Sequence, residues 1–272
     1  MIRRDPVTGI LTSHASQLGK PFPTLARDVP EPPGPCRFCQ LVAGETPDRP
    51  LDHSIPGVLL APNRWSPLGE YADARLVIAG RHTESVEELL VEEWEPLCGV
   101  LVEAARRHRR AHRPGLASVN VGRYAGASQP HLHGQDVAID HPAVPFRPLS
   151  PEHVATDVRL AREAGTVLIE DARAVVYAPW APTRAGELRV VSPDATRLAR
   201  EVHHAVTAVS ARCGPRSYNL TIDDAGPALL ARLVSRFDLD ALYPSALGFT
   251  VVTVPVEEFV ERVRPAYIAP ER

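Results

Sequence analysis

The stretch ASVNVG at 117–122 returns about a hundred residues later as SYNLTI at 217–222, and each copy closes a similar run of elements. In the first half, GVLLAPN (57–63) and ARLVIAG (74–80) read as strands. Residues 85–112 then place Leu89, Leu90, Trp94, Leu97, Leu101 and Val102 at helical spacing, with acidic residues at the start and arginines at the end, as a helix dipole favours. ASVNVG and GQDVAID (134–140) follow as strands. In the second half, TVLIED, AVVYAPWAP and GELRVVS lead to a helical stretch, DATRLAREVHHAVTAVSARCG; SYNLTI comes next, then another helical segment and the strand GFTVVTVPVE. Repeated at this length, the order predicts two α+β units sharing or facing a sheet. The break falls near 141–165, where HPAVPFRPLSPEH is rich in proline, which gives units 1–145 and 146–272. Residues 1–35, full of proline and turn formers, are expected to be an extended arm.

Composition narrows the function. The 272 residues are 44% hydrophobic, enough for a real core, and contain no apolar run long enough to span a bilayer. The first 22 residues hold no apolar stretch of signal-peptide length, so a cytoplasmic protein without membrane contact is the expectation. A net charge of −3 gives no reason to expect nucleic-acid binding. Of the 30 basic residues only Lys20 is lysine, so any anion site must use arginine, backbone N–H groups or neutral polar side chains. Cys98 and Cys213 stand singly in helical stretches and read as buried thiols, whereas Cys36 and Cys39 form CRFC behind the proline-rich PEPPGP. A redox pair would sit between a strand and a helix; this placement favours a metal.

The segment SQPHLHGQ (128–135) sets His131, His133 and Gln135 two residues apart. On a strand such residues share a face. Three polar groups side by side, just after the glycine-bearing VGRYAGAS, point to a site more than to core packing.

Here NVGRYAGASQPHLHGQ resembles the histidine-triad superfamily, and within it the galactose-1-phosphate uridylyltransferase branch, which has glutamine where the hydrolases have a third histidine. RRDPVTG, CRFC, LLAPNRWSPLGEY, GRHTESVEELL and SYNLTI are similar to successive motifs of that branch, closely to about residue 140 and loosely beyond. The resemblance implies an α+β fold of two histidine-triad repeats forming an intramolecular pseudo-dimer around antiparallel sheet. It implies His133 as a nucleophile that takes a nucleoside monophosphate from one phosphate-bearing substrate and passes it to another, such as a sugar 1-phosphate or phosphate. Gln135 would donate to a phosphate oxygen, Gly126 and Ser128 would cradle phosphate, and Asn63 and Asn120 would hold phosphate, ribose or base. Cys36, Cys39, His82 and His131 would form a closed structural zinc site, with His53 the rival to His82. His108, His112, His203 and His204 are expected on solvated helix faces.

The chain also departs from the family. ILTSHASQLGKPF lacks the arginines expected after the DPVTG-like stretch, GFTVVTVPVE has no histidine for a second metal, and the chain is short for a hexose-1-phosphate uridylyltransferase. Base, sugar and acceptor therefore stay open, with ADP-sugars, dinucleoside polyphosphates or a specialised metabolite as alternatives to UDP-hexoses, as does assembly into a homodimer. Two other functions compete: a histidine-triad nucleotide hydrolase or phosphorylase, and a zinc-stabilised nucleotide-binding module without catalysis.

Overall fold

The computed structural model describes residues 2–7, 11–14, 35–45, 50–63, 72–141, 144–214, 217–236, 249–252 and 254–268. Most of the arm, and the loop RWSPLGEY at 64–71, lie outside them. The first half contributes β1 (Ile2–Arg4), β2 (Leu11–His14), α1 (Arg37–Val42), β3 (Val58–Pro62), β4 (Ala72–Ala79), α2 (Val91–Arg110), β5 (Gly115–Val121) and β6 (His133–Ile139). The second contributes α3 (Pro151–Glu163), β7 (Val167–Glu170), β8 (Val175–Tyr177), β9 (Glu187–Ser192), α4 (Ala195–Cys213), β10 (Tyr218–Asp224), β11 (Leu229–Ser235), β12 (Phe249–Val252) and α5 (Val256–Ile268).

The chain is α+β. Nine strands form one sheet in the order β3-β4-β6-β5-β10-β11-β9-β8-β7, each antiparallel to its neighbours. Its two halves meet at β5 and β10; outward from that seam the first half runs β5, β6, β4, β3 and the second runs β10, β11, β9, β8 in the matching order, with β7 added at the far edge. At the seam Asn120 lies directly across from Asn219. A smaller sheet, β1-β2-β12, has β12 parallel to β2.

Side-chain alternation divides the large sheet into two faces. Ala117, Val119, Val121, Leu188, Val190, Tyr218, Leu220 and Leu233 join the main core with the inner stripes of α2, α4 and α5. Trp94 is fully buried there, and its indole N–H donates to the Ala199 carbonyl at 3.0 Å, tying α2 to α4. On the opposite face α1 covers one flank, with Phe38 and Leu41 packed on Leu59, Ala61, Leu76 and Ile78. On the other flank α3 packs Val154 on Leu230, and Val158 and Ala161 on Tyr177. Between these helices the face presents polar groups from β6, β5 and β10, including Gln135, Asn120 and Asn219.

Three sequence expectations need correction. Of the stretch after SYNLTI, residues 237–248 lie outside the described residues, and the part before them is not helical but β11, which lacks strand alternation because both its faces are covered: Leu229, Ala231 and Leu233 enter the main core, and Leu230 packs against α3. The proline-rich break contains α3, whose start is marked by Ser150 accepting from the Glu152 N–H and by Pro151 in its first turn. The helix expected from residue 85 opens as a short 3-10 turn over Val86–Glu88, and α2 proper begins at Val91, where Glu93 accepts from the Leu90 N–H at 2.8 Å.

Candidate functional site

Helix α1 begins at the first cysteine of CRFC. Cys36 is its N-cap, with its sulfur 3.5 Å from the Cys39 N–H nitrogen, so one helical turn brings both sulfurs to the same end. That end faces the entry to β6 and the turn after β4. The Cys39 sulfur is 3.2 Å from His82 Nδ1 and 3.5 Å from His131 Nδ1, and the Cys36 sulfur is also 3.5 Å from His131 Nδ1. The four ligand atoms lie within 4.8 Å of one another, close enough to hold a metal ion. Ligands about 2.3 Å (S) and 2.1 Å (N) from a tetrahedral zinc stand about 3.6 Å apart, so the spacing fits. The hydrogen bonds fit as well. The His131 Nε2–H donates to the Ala79 carbonyl at 2.8 Å, which leaves Nδ1 unprotonated toward the sulfurs, the arrangement by which a second partner orients a metal-ligating imidazole. His53, the rival ligand, is exposed and is not in the group.

His133 opens β6 two residues on, with the opposite tautomer. Its Nδ1–H donates to the His131 carbonyl at 2.8 Å, and Nε2 keeps a lone pair. Only 4% of the residue is exposed. Burial pushes the His133 imidazolium pKa down against the pull of that carbonyl, so the ring is neutral at pH 7; burial does the same at His131. Phe38 and His133 meet in a T-shaped pair with centroids 4.8 Å apart, so a residue between the cysteines also packs on this imidazole. Gly134 sits in a tight place: a Cβ there would come 3.0 Å from the Leu101 side chain on α2 and 3.2 Å from the Ser118 carbonyl.

Gln135 projects on the same face as His133 and lies opposite Leu76 on one side and Ser118 on the other. Asn120 is one register step beyond the pair Val119–Gly134, level with His133. The glycine-bearing loop after β5 bends through Gly126, whose φ of +84° suits glycine, and leaves Gly126 and Ser128 exposed. Asn63 is not brought beside His133. It follows β3, its N–H bonded to the Ala74 carbonyl, with β4 intervening and an offset of four residues from Leu59, which is level with His133; that is about 13 Å along the strand.

Two participants were not singled out from sequence. Asn219 donates through Nδ2 to Asn120 Oδ1 at 2.7 Å and to the Ala125 carbonyl at 2.8 Å, and Arg236 Nε donates to Asn219 Oδ1. The echo of SVNVG in SYNLTI could have flagged Asn219, but Arg236 becomes visible only once β11 is paired. The histidines on helices are also less solvated than expected: His108 is buried 3.0 Å from Asp136, His203 bonds to the Leu89 carbonyl, and His204 stacks on Tyr267. His112 is exposed. No described helix is long and apolar enough to cross a membrane.

No family model and no characterised protein sequence matches the chain. Solved structures do. An ADP-glucose phosphorylase from Arabidopsis thaliana, with ADP-glucose bound, superposes with a TM-score of 0.71 at 16% identity, over 97% of this chain and 98% of that one. A GalT-like protein from the same plant gives 0.71 at 17%, with the same coverage. A uridylyltransferase gives 0.62 at 17%, over 98% of both chains. What is shared at such identities is the fold, α+β around one large antiparallel sheet.

Proposed function

We propose that the chain is a nucleotidyltransferase of the galactose-1-phosphate uridylyltransferase type, which moves a nucleoside monophosphate between phosphate-bearing substrates through a nucleotidyl-histidine at His133. The observation that carries this is the pair of opposed tautomers: the bond from Nδ1 to the His131 carbonyl aims a neutral, unprotonated Nε2 from a buried ring. In the first step Nε2 bonds to the α-phosphorus, and the bond from that phosphorus to the leaving phosphate oxygen breaks. In the second, an oxygen of the acceptor phosphate bonds to the same phosphorus, and the bond to Nε2 breaks. Gln135 donates to a non-bridging oxygen and, being neutral, offers water no base, which favours transfer over hydrolysis. Ser128 and the backbone at Gly126 cradle the phosphates. Asn120 lies level with the nucleophile, and Asn63, farther off, suits the nucleoside end.

Cys36, Cys39, His82 and His131 hold zinc in this proposal. A closed set of four protein ligands supplies structure, not Lewis-acid chemistry, and anchors α1 with Phe38 against the nucleophile. The matching outward strand order in the two halves supports a two-repeat pseudo-dimer, with units 1–145 and 146–272 related by a two-fold at the Asn120–Asn219 pair.

Inorganic phosphate as acceptor would make the enzyme a phosphorylase. That variant is favoured by the similarity in fold to an ADP-glucose phosphorylase. Brief mixing with UDP-glucose, ADP-glucose or a diadenosine polyphosphate, without acceptor, should add the mass of one nucleoside monophosphate to the intact protein, and His133→Ala should not gain it. Normal turnover by His133→Ala would sink the covalent scheme.

A further inference from the structure

Resting on the proposed site, the geometry points to Asn219 of the second half as a positioning residue that fixes which end of the Asn120 amide meets a phosphoryl oxygen, with Arg236 setting Asn219 in turn. An asparagine amide has an accepting end and a donating end of nearly equal shape, and only its partners decide which way it lies. Here they leave no freedom. A guanidinium only donates, so the atom of Asn219 that meets Arg236 Nε must be Oδ1. Asn219 Nδ2 must then donate, and one of its two acceptors, the Ala125 carbonyl at 2.8 Å, can do nothing but accept. The other bond, 2.7 Å to Asn120, therefore ends on Oδ1 of that residue. Asn120 is left with Nδ2 as its outward end: an N–H donor, level with His133 and on its face of the sheet. The bond to Ala125 also ties the glycine-bearing loop to the same amide.

This chain of donors runs across the seam, from the end of β11 to the first half. It gives a sheet face without lysine a donor polarity suited to an anion, and gives the second half a role in binding although it has no nucleophile of its own. The ligand class is a nucleoside diphosphate or its esters, held through a non-bridging oxygen.

Asn219→Asp is nearly isosteric and inverts the logic. A carboxylate at 219 accepts from Arg236 and also requires a donor from residue 120. Asn120 then turns its NH2 inward and presents Oδ1 to the phosphate. Binding of ADP and UDP is measured by calorimetry in a His133→Ala background, so that no chemistry intervenes. Asn219→Asp should weaken the tighter of the two by about 10- to 100-fold, the scale of one hydrogen bond to a charged group. Arg236→Lys, which still donates to Oδ1, should stay within about threefold. In side-chain amide NMR spectra the Asn120 NH2 pair should shift when the diphosphate saturates the parent protein, and Asn219→Asp should show that pair already displaced and then insensitive to ligand. Equal affinity for Asn219→Asp and parent, an unmoved Asn120 pair in the saturated parent, or no binding of either diphosphate by the parent would each overturn the inference. A parent that binds and shifts as described, beside a wild type that forms no adduct, would instead sink the covalent scheme alone.

Discussion

The sheet face that carries His133 has a helix on each flank, and the two helices are fastened by opposite chemistries. In the first half α1 is held where Cys36 and Cys39 meet His82 and His131. In the second half α3 is held by Asp157, which accepts from Arg189 on β9 at 2.7 Å; the same guanidinium pairs with Asp5 beside β1 and with Glu187, and all four side chains are essentially buried. Under the proposed two-fold, His131 corresponds to Arg232 and His133 to Val234, while Arg189 lies directly across from Arg232. The two fastenings thus occupy matching places. Their difference bears on function. One arginine among three carboxylates leaves an acidic cluster, which repels a phosphate. With a metal bound as proposed, neutralised thiolates, a neutral imidazole and uncharged amides would leave a face that an anion can approach. A soft-ligand clasp would fix a helix without placing a net negative charge beside His133.

The largest expected effect tests the ionic fastening. Arg189→Met leaves three buried carboxylates without their cation and should cost about 3–5 kcal/mol in chemical denaturation, enough to threaten the fold. A cost below about 1 kcal/mol would mean that the cluster fastens nothing. Next, Cys39→Ser should lower metal content from one equivalent to a small fraction, with affinity falling by more than the roughly 10- to 100-fold typical of losing an outer partner. Hydrogen exchange should then open α1 and the start of β6 while β9 and α3 keep their protection. Loss of protection spread evenly over both halves would break the comparison, because the two fastenings would then be one cooperative unit. Smaller still is Phe38→Leu, which removes an aromatic contact from His133 at a cost of about 1 kcal/mol. Metal content should not change, but adduct formation should slow; slowing without metal loss separates positioning of the ring from integrity of the clasp.

The first-half site was legible in sequence because its signals are short. Two cysteines one helical turn apart, and His131, His133 and Gln135 two apart, carry their meaning within a few residues, and the order of the flanking motifs supplied His82. The second-half fastening was not legible. Asp5 and Arg189 are 184 residues apart, and nothing local to RRDPVTG or GELRVVS announces their pairing. Arg236 was hidden because β11, apolar on both faces, reads as helical, and without that strand no register joins Arg236 to Asn219. His108 was misjudged for a related reason: helical periodicity shows a stripe, not the Asp136 carboxylate that strand β6 brings beneath it. Local chemistry survives in a sequence as spacing, whereas long-range ion pairs and relays exist only once strands are paired.

The subtlest difference between the halves is the sign of their response to pH. At Asp136 burial opposes ionisation, but the neighbouring His108, Arg107 and Arg75 outweigh it and hold the carboxyl below its usual range. A carboxyl depressed in the folded state stabilises the protein above its unfolded pKa, near 4, and that contribution is lost as pH falls through the folded value. At Asp157 burial dominates, aided by Asp5 and only partly offset by Arg189 and the Tyr177 hydroxyl, and the carboxyl is raised. The folded state then holds a proton that the unfolded chain has released, so this group costs stability as pH rises from about 4 through its folded value. Asp136→Asn should therefore melt below the wild type at pH 7, with the gap narrowing as pH falls below about 4. For Asp157→Asn the difference from wild type should move in the mutant's favour as pH rises from 4 toward neutrality, whatever packing offset the amide introduces. Melting temperatures across pH 3–8 for the three proteins measure both slopes. Parallel curves for the two variants would show that the two carboxylates sit in equivalent electrostatic surroundings, and the difference in sign between the halves would be lost.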